Sequence, residues 1–425
     1  MAHIKCSSAY VERSNVYVER SRIFVERSRT FTAALCACAL LAATMLLPAS
    51  FTHARAKGNR GNGAWTVLAP IGYKNLTIFP IRGADAPGSD AYITLDEGTK
   101  SGTVVITEKG AAQTAAARNV RRGAAGNAVN VSNAASQRVQ QSVSYSSGGA
   151  SVNELALVNK SGKKLLLLAG EVVVGGKQDR IVQEDRIIPP VSIPVALNVF
   201  CVEHGRWTPR NVNYSSGSGG GGGASAGRGV SAELPPAPSE DGPAKFSSLG
   251  ALAHPKLRGA AQDKKEQGAV WSEVQSNNAK LGTSNSTDTY QEVYANKQVS
   301  AQMDDYVRAL EREVLQPGVV GVVIARNGKP VWADVFASQR IFASYWPKLL
   351  KSYVVDALGD NTSDKRPTIA EATGYLSERD GTVTTTMQEG VYQLVKTEQA
   401  AYAVFELRDI SLASPLRLHF NKMDR

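Results

Sequence analysis

A chain of 425 residues with 43% apolar and 20% charged residues has the make-up of a globular protein, long enough for two or three average domains or one large domain with insertions. The formal net charge is +10, of which the first 56 residues carry +4 (Lys5, Arg13, Arg20, Arg22, Arg27, Arg29 and Arg55 against Glu12, Glu19 and Glu26), leaving +6 for residues 57–425. Basic and acidic side chains are interleaved there rather than segregated, so nucleic acid is not an expected partner.

No charge occurs from Thr30 to Thr52, and Ala33 to Leu47 is an apolar core closed by Pro48. Small residues at Ala54 and Ala56 follow, the pattern a signal peptidase reads. The apolar run falls short of the ~20 residues of a membrane span. Residues 1–56 are therefore expected to be a cleavable signal peptide, removed near residues 54–56. The mature chain, periplasmic or secreted, is expected to carry no membrane span. The leader also repeats VERSNVY, VERSRIF and VERSRTF from Val11, Val18 and Val25, which puts the position of the true start in question. Cys6, Cys36 and Cys38 would leave with it. Cys201 would then be alone and could form no internal disulfide.

Residues 64–109 read as strands at Trp65-Thr-Val-Leu, Leu76-Thr-Ile-Phe-Pro-Ile and Thr103-Val-Val-Ile-Thr, with a short helical turn at Tyr92–Gly98. Residues 110–150 lose nearly all large apolar side chains and are expected to be a disordered or surface insertion. Glu154-Leu-Ala-Leu-Val-Asn, the turn Lys160–Lys163 and Lys164-Leu-Leu-Leu-Leu-Ala-Gly predict a hairpin. Strands at Glu171-Val-Val-Val, Arg180-Ile-Val-Gln, Arg186-Ile-Ile and Ile193–Phe200 point to a sandwich or barrel. A Gly/Ser/Pro-rich insertion spans 214–245. Helices are then expected at Asp263–Lys280, at Val299–Leu315 with Met303, Val307, Leu310 and Val314 on one face, and at Ser338–Leu358 around Pro347. Asn327-Gly328 predicts a tight hairpin between Val319–Ala325 and Val331–Phe336, and Ala401–Leu407 and Leu416–Phe420 read as closing strands. The fold class is α+β: a β-rich, sandwich- or barrel-like N-terminal half, with helices and a further hairpin from the C-terminal half. Residues 57–425 are expected to form a single domain with two low-complexity insertions.

Several chemistries are excluded by spacing. In Gly170–Gln178, Lys177 falls one place late for a phosphate-binding loop and Gln178 replaces the hydroxyl that would hold magnesium. His204, His254 and His419 are scattered and no Cys pair remains, so no metal and no cofactor is expected. The Val319 hairpin is similar to the first hairpin of serine β-lactamase-like enzymes, but Ser344 and Lys348 have three residues between them, which misplaces the base. What survives is one dense polar stretch. Glu171, Lys177, Gln178, Asp179 and Arg180 surround Gly175-Gly176, glycines that would allow a ligand or another backbone to approach closely. Glu203, Arg206 and Trp207 follow the longest apolar strand, and Arg206 beside Trp207 could grip an anion and stack on a planar group. The same residues could equally be an internal ion-pair and turn network. Cys201 and His204, three apart on a strand, should face opposite sides, which favours Cys201 as core packing over a nucleophile.

The pieces Tyr92-Ile-Thr-Leu-Asp-Glu, Asn153-Glu-Leu through Leu168-Ala-Gly-Glu-Val-Val-Val-Gly-Gly-Lys-Gln-Asp-Arg, Pro194-Val…Cys201-Val-Glu-His-Gly-Arg-Trp, Gln267-Gly-Ala-Val-Trp, Val319-Val-Gly-Val-Val-Ile-Ala and Phe342…Trp346-Pro-Lys-Leu-Leu-Lys-Ser-Tyr resemble a bacterial family, the ARG and rhodanese-phosphatase-superfamily-associated protein domain. The resemblance implies one domain running across residues 214–245 and an association with ADP-ribosylglycohydrolases and phosphatases, without an assigned activity. The leading expectation is an exported, non-enzymatic domain that binds a small anionic ligand or a protein partner. The alternative is an enzyme or binder acting on an ADP-ribose-like or other phosphorylated metabolite, with Lys177, Arg180 and Arg206 as anion grips and Glu171 or Glu203 as general base. A structural envelope protein is a third reading.

Overall fold

The computed structural model describes residues 54–56 (backbone only), 65–109, 153–205, 245–360, 363 and 365–425. The expected insertion at 110–150 and residues 214–244 lie outside them, as do residues 1–53. Strands β1 (Ala54–Ala56), β2 (Thr66–Val67), β3 (Ile71–Tyr73), β4 (Leu76–Arg82) and β5 (Tyr92–Ile93) lead to helix α1 (Leu95–Lys100) and β6 (Val104–Glu108). Next come β7 (Glu154–Asn159), β8 (Lys164–Leu167), β9 (Glu171–Gly175), β10 (Arg180–Val182), β11 (Arg186–Ile188), β12 (Val191–Cys201) and β13 (Lys245–Leu252). Helices α2 (Pro255–Gly259), α3 (Gln267–Leu281), α4 (Glu292–Ala295) and α5 (Lys297–Val314) follow, with a π turn at Ala260–Lys264. The rest of the chain is β14 (Val319–Arg326), β15 (Lys329–Phe336), α6 (Gln339–Ala357), α7 (Ile369–Ser377), β16 (Gly381–Gln388), β17 (Tyr392–Glu398), β18 (Tyr402–Asp409) and β19 (Leu416–Asp424).

The fold is α+β. Six of the strands close a barrel in the order β10-β12-β7-β6-β13-β9. Strand alternation fills it: Val104, Ile106, Leu155, Leu157, Val173, Val182, Leu197, Val199 and Phe246 form one buried cluster. The intervening residues Val172, Val174, Ile181 and Phe200 belong to a second, larger core shared with α5 and α6. The barrel is therefore a packed plug. Strand β13 comes from beyond residue 244 and pairs with both β6 and β9, so segments on both sides of residues 206–244 complete the same barrel.

The second large element is an antiparallel sheet in the order β1-β16-β17-β18-β19-β15-β14-β4-β2, with β3 beside β4. β14 is buried along nearly its whole length, as its Val-Val-Gly-Val-Val-Ile-Ala sequence leads one to expect, and α6 packs across it. β14 and β15 form the expected hairpin, with Asn327 (φ 51°) and Gly328 (φ 82°) in the left-handed region that a two-residue turn demands. Helix α5 buries Val299, Met303, Tyr306, Leu310 and Val314, and Asn296 caps its first turn through the amides of Gln298 and Val299.

The hairpin expected from Glu154 to Gly170 does not form. β7 pairs with β6 and β12 in the barrel, whereas β8 pairs with β11 and β5 in a separate three-stranded sheet. Asn159 redirects the chain: its amide donates to Lys163 O (2.8 Å) and Ile188 O (3.0 Å), and its side-chain oxygen accepts from Ser161 N (3.1 Å). The uninterrupted Leu165–Leu168 run fits a strand buried on both faces. Leu165 and Leu167 enter the barrel cluster, and Leu166 and Leu168 the larger core.

Candidate functional site

The glycine turn that opens the polar stretch is shaped from inside the protein. Gly176 has φ 50°, and a Cβ there would lie 2.2 Å from Phe246 Cζ and 2.6 Å from Glu108 Oε1. The close approach that glycine permits is thus that of Phe246 and Glu108. Glu108 also accepts the Lys177 amide at 2.9 Å, and the Lys177 side chain stays exposed.

Gln178, Asp179, Arg180 and Glu203 come together, each at most 1% exposed. Gln178 Nε2 donates to Glu203 O (2.9 Å), and the Asp179 amide donates to Glu203 Oε2 (3.1 Å). Asp179 Oδ1 accepts from Gly175 N (3.2 Å), and its Oδ2 accepts from Thr289 Oγ1 (3.1 Å). Arg180 Nη1 donates to Asp179 O (3.3 Å). Tyr290 N→Val202 O and Gly205 N→Thr287 O, both 2.9 Å, fasten the 201–205 segment to the loop at 285–290. The Gln178, Asp179 and Glu203 side chains act as a clamp joining the 175–178 turn, the end of β12 and the 285–290 loop. Arg206 and Trp207 lie outside the described residues.

Cys201 is buried and His204 exposed, but β12 ends at Cys201, so strand alternation does not extend to His204. The Gln267 side chain brackets the Cys201 backbone, accepting from its amide (2.9 Å) and donating to its carbonyl (2.8 Å). Burial pushes the Cys201 thiol up, away from the thiolate a nucleophile needs. His204 meets Trp271 edge-on at 4.6 Å.

Glu171 keeps different company. Its carboxylate accepts from Leu168 N (2.9 Å) and pairs with Lys348 of α6, which also reaches Asp96 of α1 at 2.9 Å. Burial raises the Glu171 carboxyl, only partly opposed by Lys348. Burial would lower the Lys348 ammonium, but Glu171 and Asp96 together outweigh it and hold it charged. Lys348, considered from the sequence only as a misplaced base, is the buried cation of this trio. Its signal was a lone charge on the apolar face that Tyr345 and Leu349 share.

A second buried network went unread in the sequence. Asp334 of β15 accepts a forked pair from Arg258 (2.9 and 3.2 Å), the Trp332 indole (2.8 Å), Asn421 Nδ2 (2.9 Å) and the Tyr353 hydroxyl. His419 Nε2 lies 3.0 Å from it, and His419 Nδ1 lies 2.6 Å from Asp185, which also accepts from Ala169 N. Asp185, Arg258, Asp334 and His419 are all 0% exposed. Burial opposes ionisation of Asp334, but Arg258 and His419 outweigh it and hold the carboxyl well below its usual range. Burial likewise disfavours the imidazolium, yet Asp185 and Asp334 push His419 up to about 9. Two cations then balance two anions, which is how a buried ionic group is tolerated. Residues drawn from Ala169 to Asn421 cannot be recognised as a set by spacing.

Among the described residues, no group of His, Cys, Asp and Glu is arranged to hold a metal ion, and no helix is long and apolar enough to cross a membrane. In comparisons with known proteins, the family described as ARG and Rhodanese-Phosphatase-superfamily-associated Protein domain matches residues 64–409, most of the chain. No curated protein and no solved structure matches it.

Proposed function

This chain belongs to the family of the ARG and Rhodanese-Phosphatase-superfamily-associated Protein domain, and we propose that it acts outside the cytoplasm as a non-enzymatic ligand-binding or protein-interaction domain. The observation that carries this reading is the burial of Gln178, Asp179, Arg180 and Glu203; hydrogen bonds of Gln178, Asp179 and Glu203 hold three loops together. A general base or an anion grip must meet its substrate. Here those groups instead stiffen a platform from which the Lys177 and His204 side chains project. A rigid loop platform lowers the entropy cost of binding. The alternative, an enzyme acting on an ADP-ribose-like metabolite, needs Arg180, Glu203 or Glu171 uncovered. Arg180 and Glu203 are each at most 1% exposed, Glu203 braces a loop, and Glu171 neutralises Lys348.

A thermal-shift screen of ADP-ribose, nucleotides and other phosphorylated metabolites tests the reading, with each hit followed by phosphorus NMR. A ligand that raises the melting temperature and is recovered intact is the expected result. Turnover of any hit, lost in Glu203→Gln, would replace the reading with the enzymatic one. The extracytoplasmic setting rests on residues 1–56. Amino-terminal sequencing of the exported protein is expected to find a start next to Ala54–Ala56; a chain retaining Ala33–Leu47 would mean an anchor instead.

A further inference from the structure

Where the end of α7 meets the strands β18 and β19, two arginines pack on one tryptophan and a third pairs across the strands with one of them. Arg417 stacks over Trp65 (4.4 Å to the ring centroid), and Arg379 lies over Phe420 (4.6 Å) and Trp65 (5.2 Å). Trp65 and Phe420 meet edge to face at 5.2 Å, so the four side chains form one packed unit. Arg408 and Arg417 are direct cross-strand partners. Like charges in that relation repel. One carboxylate, Glu406, serves both: it accepts from Arg417 Nη1 at 2.9 Å and pairs with Arg408. Arg379 gives Nε to Leu376 O (3.3 Å) at the end of α7, and among the described residues it pairs with no carboxylate.

The excess of cation over anion here is two charges. Burial and the neighbouring Arg417 hold the Arg379 guanidinium below its usual range, and burial does the same to Arg417, with Arg408 adding to it against Glu406. That pattern differs from a solvated face, where cations and anions alternate. It also differs from the Asp334 network, where charges cancel. Arg408 and Arg379 are half-buried rather than enclosed, so a ligand from solvent can reach them. The planar fork of a guanidinium matches the oxygens of phosphate, and the ring faces fix the forks of Arg379 and Arg417 in place.

We infer that Arg379 and Arg417, packed on Trp65 at the α7 end of the large sheet, and Arg408, the cross-strand partner of Arg417, form a binding site for a dianionic phosphate group. The ligand class is a phosphate monoester or inorganic phosphate, whose two charges offset the excess. The inference rests on the binding-domain reading and gives it a place separate from the Lys177 platform.

Calorimetric titration of the full chain with inorganic phosphate, and in parallel with phenyl phosphate, tests it. Both probes should bind at neutral pH, phenyl phosphate no more weakly if the site takes monoesters. Affinity should fall as pH drops below about 6, where the phosphate group loses its second charge. Arg379→Gln and Arg408→Gln should each weaken binding about tenfold or more, whereas Lys160→Gln, at an exposed position with no role in either place, should leave it unchanged. Arg379→Lys, which keeps the charge and removes the fork, should bind at an intermediate level. Binding that survives both Gln variants would overturn the site while leaving a binding domain intact. Binding of neither probe by a wild-type chain that melts cooperatively would also overturn it, leaving the arginines as packing for α7. Turnover of phenyl phosphate would instead overturn the non-enzymatic reading, with the arginine variants still reporting on the site.

Discussion

His419 departs far from the ordinary behaviour of a histidine. Flanked by Asp185 and Asp334, its imidazole titrates near 9 in the fold against 6.5 for a free histidine. A raised folded value means that its stabilising contribution is fully present below about 6.5 and is lost as pH rises through about 9. The shift corresponds to roughly 3 kcal/mol. Histidine NMR should find His419 protonated through neutrality, with a midpoint near 9, and urea unfolding should weaken over the same window. A midpoint near 6.5 would show that the two carboxylates do not hold the proton. Cys201 makes the contrasting case at this level. It lies in a run, Val199-Phe-Cys-Val, that is buried throughout, and its burial was expected from the sequence. Nothing comparable marked His419, since its partners come from positions 185 and 334.

Elements were legible where local chemistry decides them. The Asn327-Gly328 turn, the amphipathic α5 and the closing strands β18 and β19 follow from backbone preference and periodicity. The pair β16–β17 and helix α7 were not read. Gly381-Thr-Val-Thr-Thr-Thr-Met-Gln is mostly exposed on both faces and lacks alternation, though a Thr368…Glu371 capping box does announce α7. The Glu154–Gly170 segment was read with the right strands and the wrong partner, because strand pairing is not encoded in the strand itself. Glycines separate the two kinds of information. At Gly321 in β14 a Cβ would sit 2.4 Å from Asp334 O and 2.6 Å from Val335 Cα, backbone that cannot give way. Gly321→Ala should therefore cost ~1–3 kcal/mol in chemical denaturation. At Gly374 in α7 a Cβ meets nothing within 4 Å, so Gly374→Ala should be neutral or stabilising by ~0.5–1 kcal/mol. Equal effects at the two positions would contradict the close approach of β14 and β15.

The barrel and the large sheet both draw strands from each side of residues 206–244. A fragment of residues 57–205 lacks β13 and β14, so it leaves β6, β9 and β4 with open edges and removes Phe246 from the barrel interior. Expressed alone, it should show no cooperative thermal transition; co-expressed with residues 245–425, it should recover one. A fragment that melts cooperatively by itself would mean that the barrel closes without β13. The α+β class, the abundance of strands in the first half and the family were determined by the sequence, because composition, periodicity and short motifs are local properties. The same holds for the candidate polar residues as a group, four of which do converge. Tertiary structure alone decided that Gln178, Asp179 and Glu203 brace loops, that Glu171 answers Lys348, and that Arg408 and Arg417 share one carboxylate while Arg379 packs with Arg417 on Trp65. Each of those depends on which distant segments meet, and charge is neutralised or left in excess only by neighbours in space.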